Sequence, residues 1–248
     1  QHRKAAILDA LNEEPELGNE TIPVVLYEDA GLSRSQQIFT DLNKHAVKTS
    51  NSIAELYDLR DDIAVITRNV VLNVPFLNEY TDKEKDILGK YSSNLFTLNT
   101  FYNSIKRTIS SDEPNEAMQE FLNNYWKCVA DNIVQWSELA KKEISKIDLR
   151  ENYIVTQGVV IQALGRVGRY FYKNSDVDME KVLSRLRYIN WKRNAAIWKY
   201  RVIRADGKIL TSNKAILLTA NQVKKELGIS LQPEEELKEK KYLESLNV

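Results

Sequence analysis

Seven apolar residues spaced three or four apart, Met118, Leu122, Tyr125, Val129, Ile133, Trp136 and Ala140, follow Pro114 as one stripe. That spacing returns to the same face of a 3.6-residue helix, and proline is favoured at a helix start, so the segment is predicted to be a long buried helix. Such a stripe needs partners along its whole length. The rest of the chain agrees: eight glycines and five prolines in 248 residues, with 43% hydrophobic and 28% charged residues, describe a helix-rich protein rather than a strand-and-turn sandwich. No apolar run approaches the roughly 18 residues needed to cross a bilayer, and no leader precedes the first helix. A soluble, cytoplasmic protein without a membrane partner is expected. With no initiating Met at position 1, residue 1 is expected not to be the natural start. Cys128 is the single cysteine, and its neighbours Tyr125, Trp126, Val129 and Ile133 make it a small core residue ahead of a catalytic thiol.

A coarse reading of the remaining elements gives an α/β (α+β) part over residues 1–75, then a mainly helical region over 76–248 with a small β-hairpin. The first helix runs from Gln1 to about Asn12, with Ala5, Leu8 and Leu11 on one face, and a strand follows at Ile22–Tyr27. Ser33-Arg34-Ser35-Gln36 has the form of a capping box opening a helix with Ile38, Phe39 and Leu42. Another helix from about Ile53 carries Leu56, Ile63, Ile66 and Val70, with a break around Asp61. Thr81-Asp82-Lys83-Glu84 is a second capping box. In a helix over Thr156–Tyr172, Gly165 and Gly168 permit either close packing or the approach of a ligand. Trp198–Leu218 alternates as strands do around an Asp206-Gly207 turn, Thr219–Gln222 caps a helix ending at Gly228, and an acidic amphipathic helix spans Pro233–Leu246.

Net charge is zero, but it is segregated. Residues 1–149 hold 16 basic and 24 acidic side chains, residues 150–225 hold 16 and 5, and residues 226–248 hold 3 and 6. The middle segment is strongly cationic, as expected where one surface meets a polyanion. Arg166, Arg169, Lys173, Arg185, Arg187, Lys192, Arg193, Lys199, Arg201 and Arg204 are interleaved with Tyr170, Tyr172, Tyr188, Trp191, Trp198 and Tyr200. The cations can bind phosphates, while most of the aromatics are expected to fill the core beneath them. DNA is therefore the expected partner of this segment.

Two shorter groups suit an anionic ligand. Gln1, His2 and Arg3 open a helix, where free N–H groups and the positive dipole end attract a phosphate. Asn43, His45 and Lys48 sit where a helix gives way to a loop and can offer an amide, an imidazole and an ammonium. Taken alone, either group also reads as a solvated helix end, with Lys44 and Lys48 complementing the dipole.

The order of several motifs resembles the DndB family. Gln1-His2-Arg3 is similar to the end of that family's Asp-Gly-Gln-His-Arg signature. Gln36-Gln37, Asp41-Leu42-Asn43, His45-Ala46-Val47-Lys48 and Tyr57-Asp58-Leu59-Arg60-Asp61 follow in the family's order. Leu95–Leu98, Leu164–Gly168 and Leu218–Gly228 extend the likeness over essentially the whole chain. One departure stands at Asn194-Ala195-Ala196-Ile197-Trp198, where the family tends to show Asn-Pro-x-Trp. The resemblance implies a ParB-like N-terminal part and a setting among DNA phosphorothioation proteins, possible partners in an oligomer or complex. It also implies negative transcriptional regulation, and a link of relatives to nucleotide hydrolysis.

Three functions follow as expectations. The leading one is a DNA-binding regulator with a ligand pocket made by Gln1, His2, Arg3, Asn43, His45 and Lys48. The second is an enzyme hydrolysing an NTP with Mg, in which His45 is the acid–base group. No Walker loop, His-Glu-x-x-His or Gly-x-Ser-x-Gly motif is present, and His2, His45 and Cys128 are too few for an ordinary structural zinc site. The third is a scaffold that uses the acidic tail helix to hold the sulfur-inserting proteins.

Overall fold

In chain order, the helices of the computed structural model are α1 (His2–Glu13), α2 (Leu32–Ala46), α3 (Asn51–Tyr57), α4 (Asp62–Asn73), α5 (Pro75–Tyr80) and α6 (Leu98–Ile109). There follow α7 (Glu116–Asn132), α8 (Val134–Ala140), α9 (Lys146–Asn152), α10 (Gly158–Lys173), α11 (Met179–Leu183), α12 (Asn213–Leu227) and α13 (Pro233–Glu244). Two short parallel strands, β1 (Thr81–Asp82) and β2 (Phe96–Thr97), pair Thr81 with Phe96 and Asp82 with Thr97. The structure describes residues 2–21, 28, 31–46 and 50–245, without the side chains of 2, 3 and 42–46. The chain divides into a unit of residues 1–35 and a larger unit of residues 36–248. The fold is helix-rich α+β, and among the described residues no helix is long and apolar enough to cross a membrane.

In the larger unit, the stripe after Pro114 is buried as its period requires. Met118, Leu122, Tyr125, Val129, Ile133 and Trp136 are all fully buried, but the helix breaks at Ile133, so the stripe is shared by α7 and α8. Aromatic rings fix these helices against α5 and α6. Phe76 stacks on Trp136 with centroids 4.8 Å apart, and Phe101 meets Trp126 edge to face at 5.2 Å. The break foreseen around Asp61 is a helix start: its carboxylate accepts from the N–H groups of Ile63 and Ala64 at 2.9 and 3.1 Å and caps α4.

The centre of the unit is the crossing of α6 and α10. Gly165 lies so close to the carbonyl of Ser104 that an added Cβ would stand 2.8 Å from its carbonyl carbon, and one on Gly168 would stand 3.0 Å from the Tyr125 ring. Side-chain hydroxyls stitch the contact. Ser104 Oγ donates to Ile161 O at 2.6 Å, Thr108 Oγ1 to Gly165 O at 2.8 Å, and Tyr125 OH to Leu164 O at 2.6 Å. Of the two roles open to these glycines, the structure gives them close packing.

Several expected elements differ. α2 begins at Leu32, so Ser33–Gln36 lies inside the helix instead of capping it. Thr81–Glu84 opens no helix: Thr81 and Asp82 form β1, and the Asp82 carboxylate accepts from the N–H groups of Glu84 and Lys85, which turns the chain into a loop. The expected hairpin is reduced to a tight turn, with Gly207 at φ 79° and an isolated Ile203–Ile209 bridge. From Asn213 onward the chain is helical, with Ser212 rather than Thr219 as the cap, through its acceptance from Ala215 N–H at 3.2 Å. Gly228, in the left-handed conformation at φ 75°, ends α12 as expected. The strand expected at Ile22–Tyr27, on which the α/β reading of residues 1–75 rests, lies outside the described residues.

Two measurements check this packing. Gly165→Ala pushes a methyl group into backbone that has no rotamer to give. It is expected to lower the unfolding free energy by about 3 kcal/mol or more in a denaturant titration, with Gly168→Ala costing less. Glu55, buried on α3 near Asp86 and Asp61, has its pKa raised to about 8, by burial first and by those carboxylates second. The folded state therefore holds this proton more tightly than the unfolded chain. Its contribution is complete below about pH 4.5 and is lost as pH rises to about 8. Glu55→Gln is expected to flatten the fall of stability over that range, which at its steepest is about 1.4 kcal/mol per pH unit.

Candidate nucleic-acid interface

The close α6–α10 crossing puts Arg107, near the end of α6, beside Arg166 of α10. Arg107 is held by neutral groups: Nε donates to Gln162 Oε1 at 3.0 Å and one terminal nitrogen to Asn213 Oδ1 at 2.8 Å. Its charge is positioned but not cancelled. Burial, and next the Arg166 guanidinium, pull the Arg107 pKa below the ordinary arginine value. Arg166 has a distant ion pair, 3.8 Å to Glu235, and its buried Nε finds no hydrogen-bond acceptor among the described residues.

These two arginines line a cleft of about 550 Å3 with Asn213, Lys214, Leu217, Leu218, Lys238 and Lys241. The charged side chains lining it are all cations, drawn from α6, α10, α12 and α13. A second cleft of about 350 Å3 shares Arg107 and Arg166 and runs past Arg169, Tyr170, Lys173, Lys224 and Glu235. Together they form a cationic groove with Tyr170 in its wall. In the larger cleft the charge is of one sign, the arrangement that concentrates a polyanion.

The helix that contributes Lys238 and Lys241 is seated by its own acids. On α13, Glu235 accepts Lys224 Nζ at 2.7 and 2.8 Å, and Glu239 accepts Arg201 at 3.0 Å and Lys225 at 2.7 Å. Burial works against the Glu239 carboxylate, but the hydrogen bonds from Arg201 and Lys225 hold its pKa below the ordinary range. The Arg201 guanidinium also lies 4.3 Å from the centre of the Tyr242 ring. The helix read as an acidic tail thus turns two of its glutamates inward and lends lysines to the cleft.

The cations singled out from sequence do not share one surface. Arg166, Arg169 and Lys173 reach the groove, with Arg169 and Lys173 tied to Asp112 at 2.9 Å each. Arg169 also donates to the carbonyls of Thr108 and Ile109 and so closes the end of α6. Arg185 does the same for α12, donating to Leu227 O at 2.9 Å. Arg187 bonds Asn132, and Arg204 pairs with exposed Asp206. Lys192 and Arg193 line a separate cleft of mixed charge with Asp148 and Glu151. Arg201 is only 5% exposed, so its guanidinium is an internal brace. Trp191 and Trp198 are core, stacked at 5.3 Å, whereas Tyr188 is exposed.

Arg107, Lys238 and Lys241 lie outside the cationic segment, in stretches where acids outnumber bases, and Lys214, inside it, is not among the cations singled out from sequence. A helical projection of α13 would have exposed the signal: Lys238 and Lys241 are three apart, Glu235 and Glu239 four apart, on two stripes. The other expected pocket lies outside the described residues. His2 and Arg3 fall in α1, and Asn43 and His45 in α2, but their side chains are not described, and neither Gln1 nor Lys48 is. Cys128 is half-buried, and burial pushes its thiol up to about 11, which leaves it protonated and a poor nucleophile at neutral pH.

The helical scaffold thus gathers scattered cations into one cleft whose lining holds no carboxylate. The family model for DndB, described as DNA-sulfur modification-associated, matches residues 1–230, and the chain belongs to that family. The match stops short of α13. Neither the curated proteins nor the solved structures yielded a match.

The division between bracing and exposed arginines is testable. Arg201→Ala leaves Glu239 buried without its main partner and is expected to cost about 3 kcal/mol of stability. Arg204→Ala should leave the unfolding midpoint where it was, since its partner Asp206 is solvated. Thermal unfolding of the two variants side by side reads the difference.

Proposed function

We propose that this chain is a DNA-binding regulatory component of a DNA sulfur-modification system, gripping the phosphodiester backbone in the groove formed by α6, α10, α12 and α13. The observation that carries this reading is the Arg107, Arg166, Lys214, Lys238 and Lys241 lining, which has no carboxylate among its charged groups. Membership of the DndB family makes DNA the polyanion of choice. On this reading the protein acts in the cytoplasm, represses the modification genes, and meets other phosphorothioation proteins there. Residues 1–75 would supply a ParB-like α/β part. Groove cations act as backbone contacts, which fix register without reading sequence.

Salt dependence tests it. The fourfold variant Arg107→Ala, Arg166→Ala, Lys214→Ala, Lys241→Ala is expected to bind promoter duplex more weakly. Its slope of log affinity against log salt should be shallower by about 0.9 for each phosphate that the variant no longer neutralises. Fluorescence anisotropy at several salt concentrations reads both quantities, with circular dichroism as the folding control. A folded variant with wild-type affinity and slope would remove the groove from consideration as the DNA site.

A further inference from the structure

The larger cleft of the groove is not uniformly polar. Leu217 and Leu218 line it among the cations, and with Tyr242 they form a small apolar cluster separate from the main core. An ordinary phosphodiester presents two hard, strongly hydrated nonbridging oxygens, and moving either against hydrocarbon costs its hydrogen bonds. A wall that mixes fixed N–H donors with leucine carbons therefore suits a different anion. It suits one carrying a hard oxygen on one side and a soft, weakly hydrated atom on the other.

The donors are held ready for the hard side. Gln162 and Asn213 fix the Arg107 guanidinium in place, so its remaining N–H groups keep their direction without a carboxylate to occupy them. The Arg166 side chain is 34% exposed, with the Glu235 carboxylate 3.8 Å away. Sulfur accepts hydrogen bonds weakly and loses little by lying on an apolar surface.

Resting on the DNA-binding reading above, we propose that this cleft distinguishes a phosphorothioate diester from a phosphodiester. The nonbridging oxygen takes terminal N–H groups of Arg107 and Arg166, and the sulfur lies against the exposed edges of Leu217 and Leu218, which are 8% and 2% exposed. Replacing one nonbridging oxygen by sulfur makes the phosphorus a stereocentre. Only one configuration can turn oxygen to the arginines and sulfur to the leucines while the strand keeps its direction, so the selectivity is stereospecific.

Duplexes carrying a single phosphorothioate of Rp configuration, of Sp configuration, or none, titrated against the full chain by anisotropy, decide the matter. One diastereomer is expected to bind about tenfold more tightly than the other two duplexes, the lower end of what one apolar group contributes to discrimination. Leu217→Asn should bring the three affinities together. Asn213→Ala, at an exposed position where folding is not at stake, should narrow the preference by releasing Arg107. Equal binding of all three duplexes with a normal salt slope would overturn sulfur recognition and leave the DNA reading standing. Binding of none would overturn both. A preference untouched in both variants would place sulfur recognition elsewhere and overturn the assignment to this cleft.

Discussion

The contact of Gly165 with the Ser104 backbone sets the rest of the larger unit. Because α10 carries no Cβ at that point, it can approach α6 closely enough for Ser104, Thr108 and Tyr125 to direct their hydroxyls to α10 carbonyls. Those buried polar groups are thereby satisfied, and the crossing admits few alternatives. The same approach carries Arg166 to Arg107. Two like charges are thus brought together by core packing.

Where a helix has one wet face, its sequence announces it. α7 and α8 show a clear apolar stripe, and Asp61 is visible as a break. Residues 213–218 of α12 read as a strand for a physical reason: from Ala215 to Asn221 every residue is buried, so no polar face exists to reveal a 3.6-residue period. A fully buried helix segment of that length resembles a strand. Thr81–Glu84 misleads differently, since the carboxylate–amide bonds that cap a helix also fold a loop, and only the β2 partner decides between them.

Charge is legible in the sequence as an amount but not as a place. The segment 150–225 is rich in arginine partly because arginine is a versatile internal fastener: Arg169 and Arg185 close helix ends, and Arg201 crosses to α13. The groove, in contrast, draws Arg107 from an acidic stretch and Lys238 and Lys241 from an acidic helix. A running count along the chain averages such residues away. What creates the groove is the convergence of four helices, a property of the fold rather than of any segment.

The two faces of α13 stand in different dielectrics, and that separates their responses to ions. Its inward pairs, Glu235 with Lys224 and Glu239 with Arg201, are under 10% exposed and little screened by dissolved salt. Lys238 and Lys241 face an open cleft, where the Debye length shrinks from ~10 Å at 0.1 M to ~3 Å at 1 M. Rising ionic strength therefore weakens the field that the helix projects long before it loosens the seat that holds the helix. Attraction at the groove can be tuned by the ionic medium while the architecture that produces it stays put.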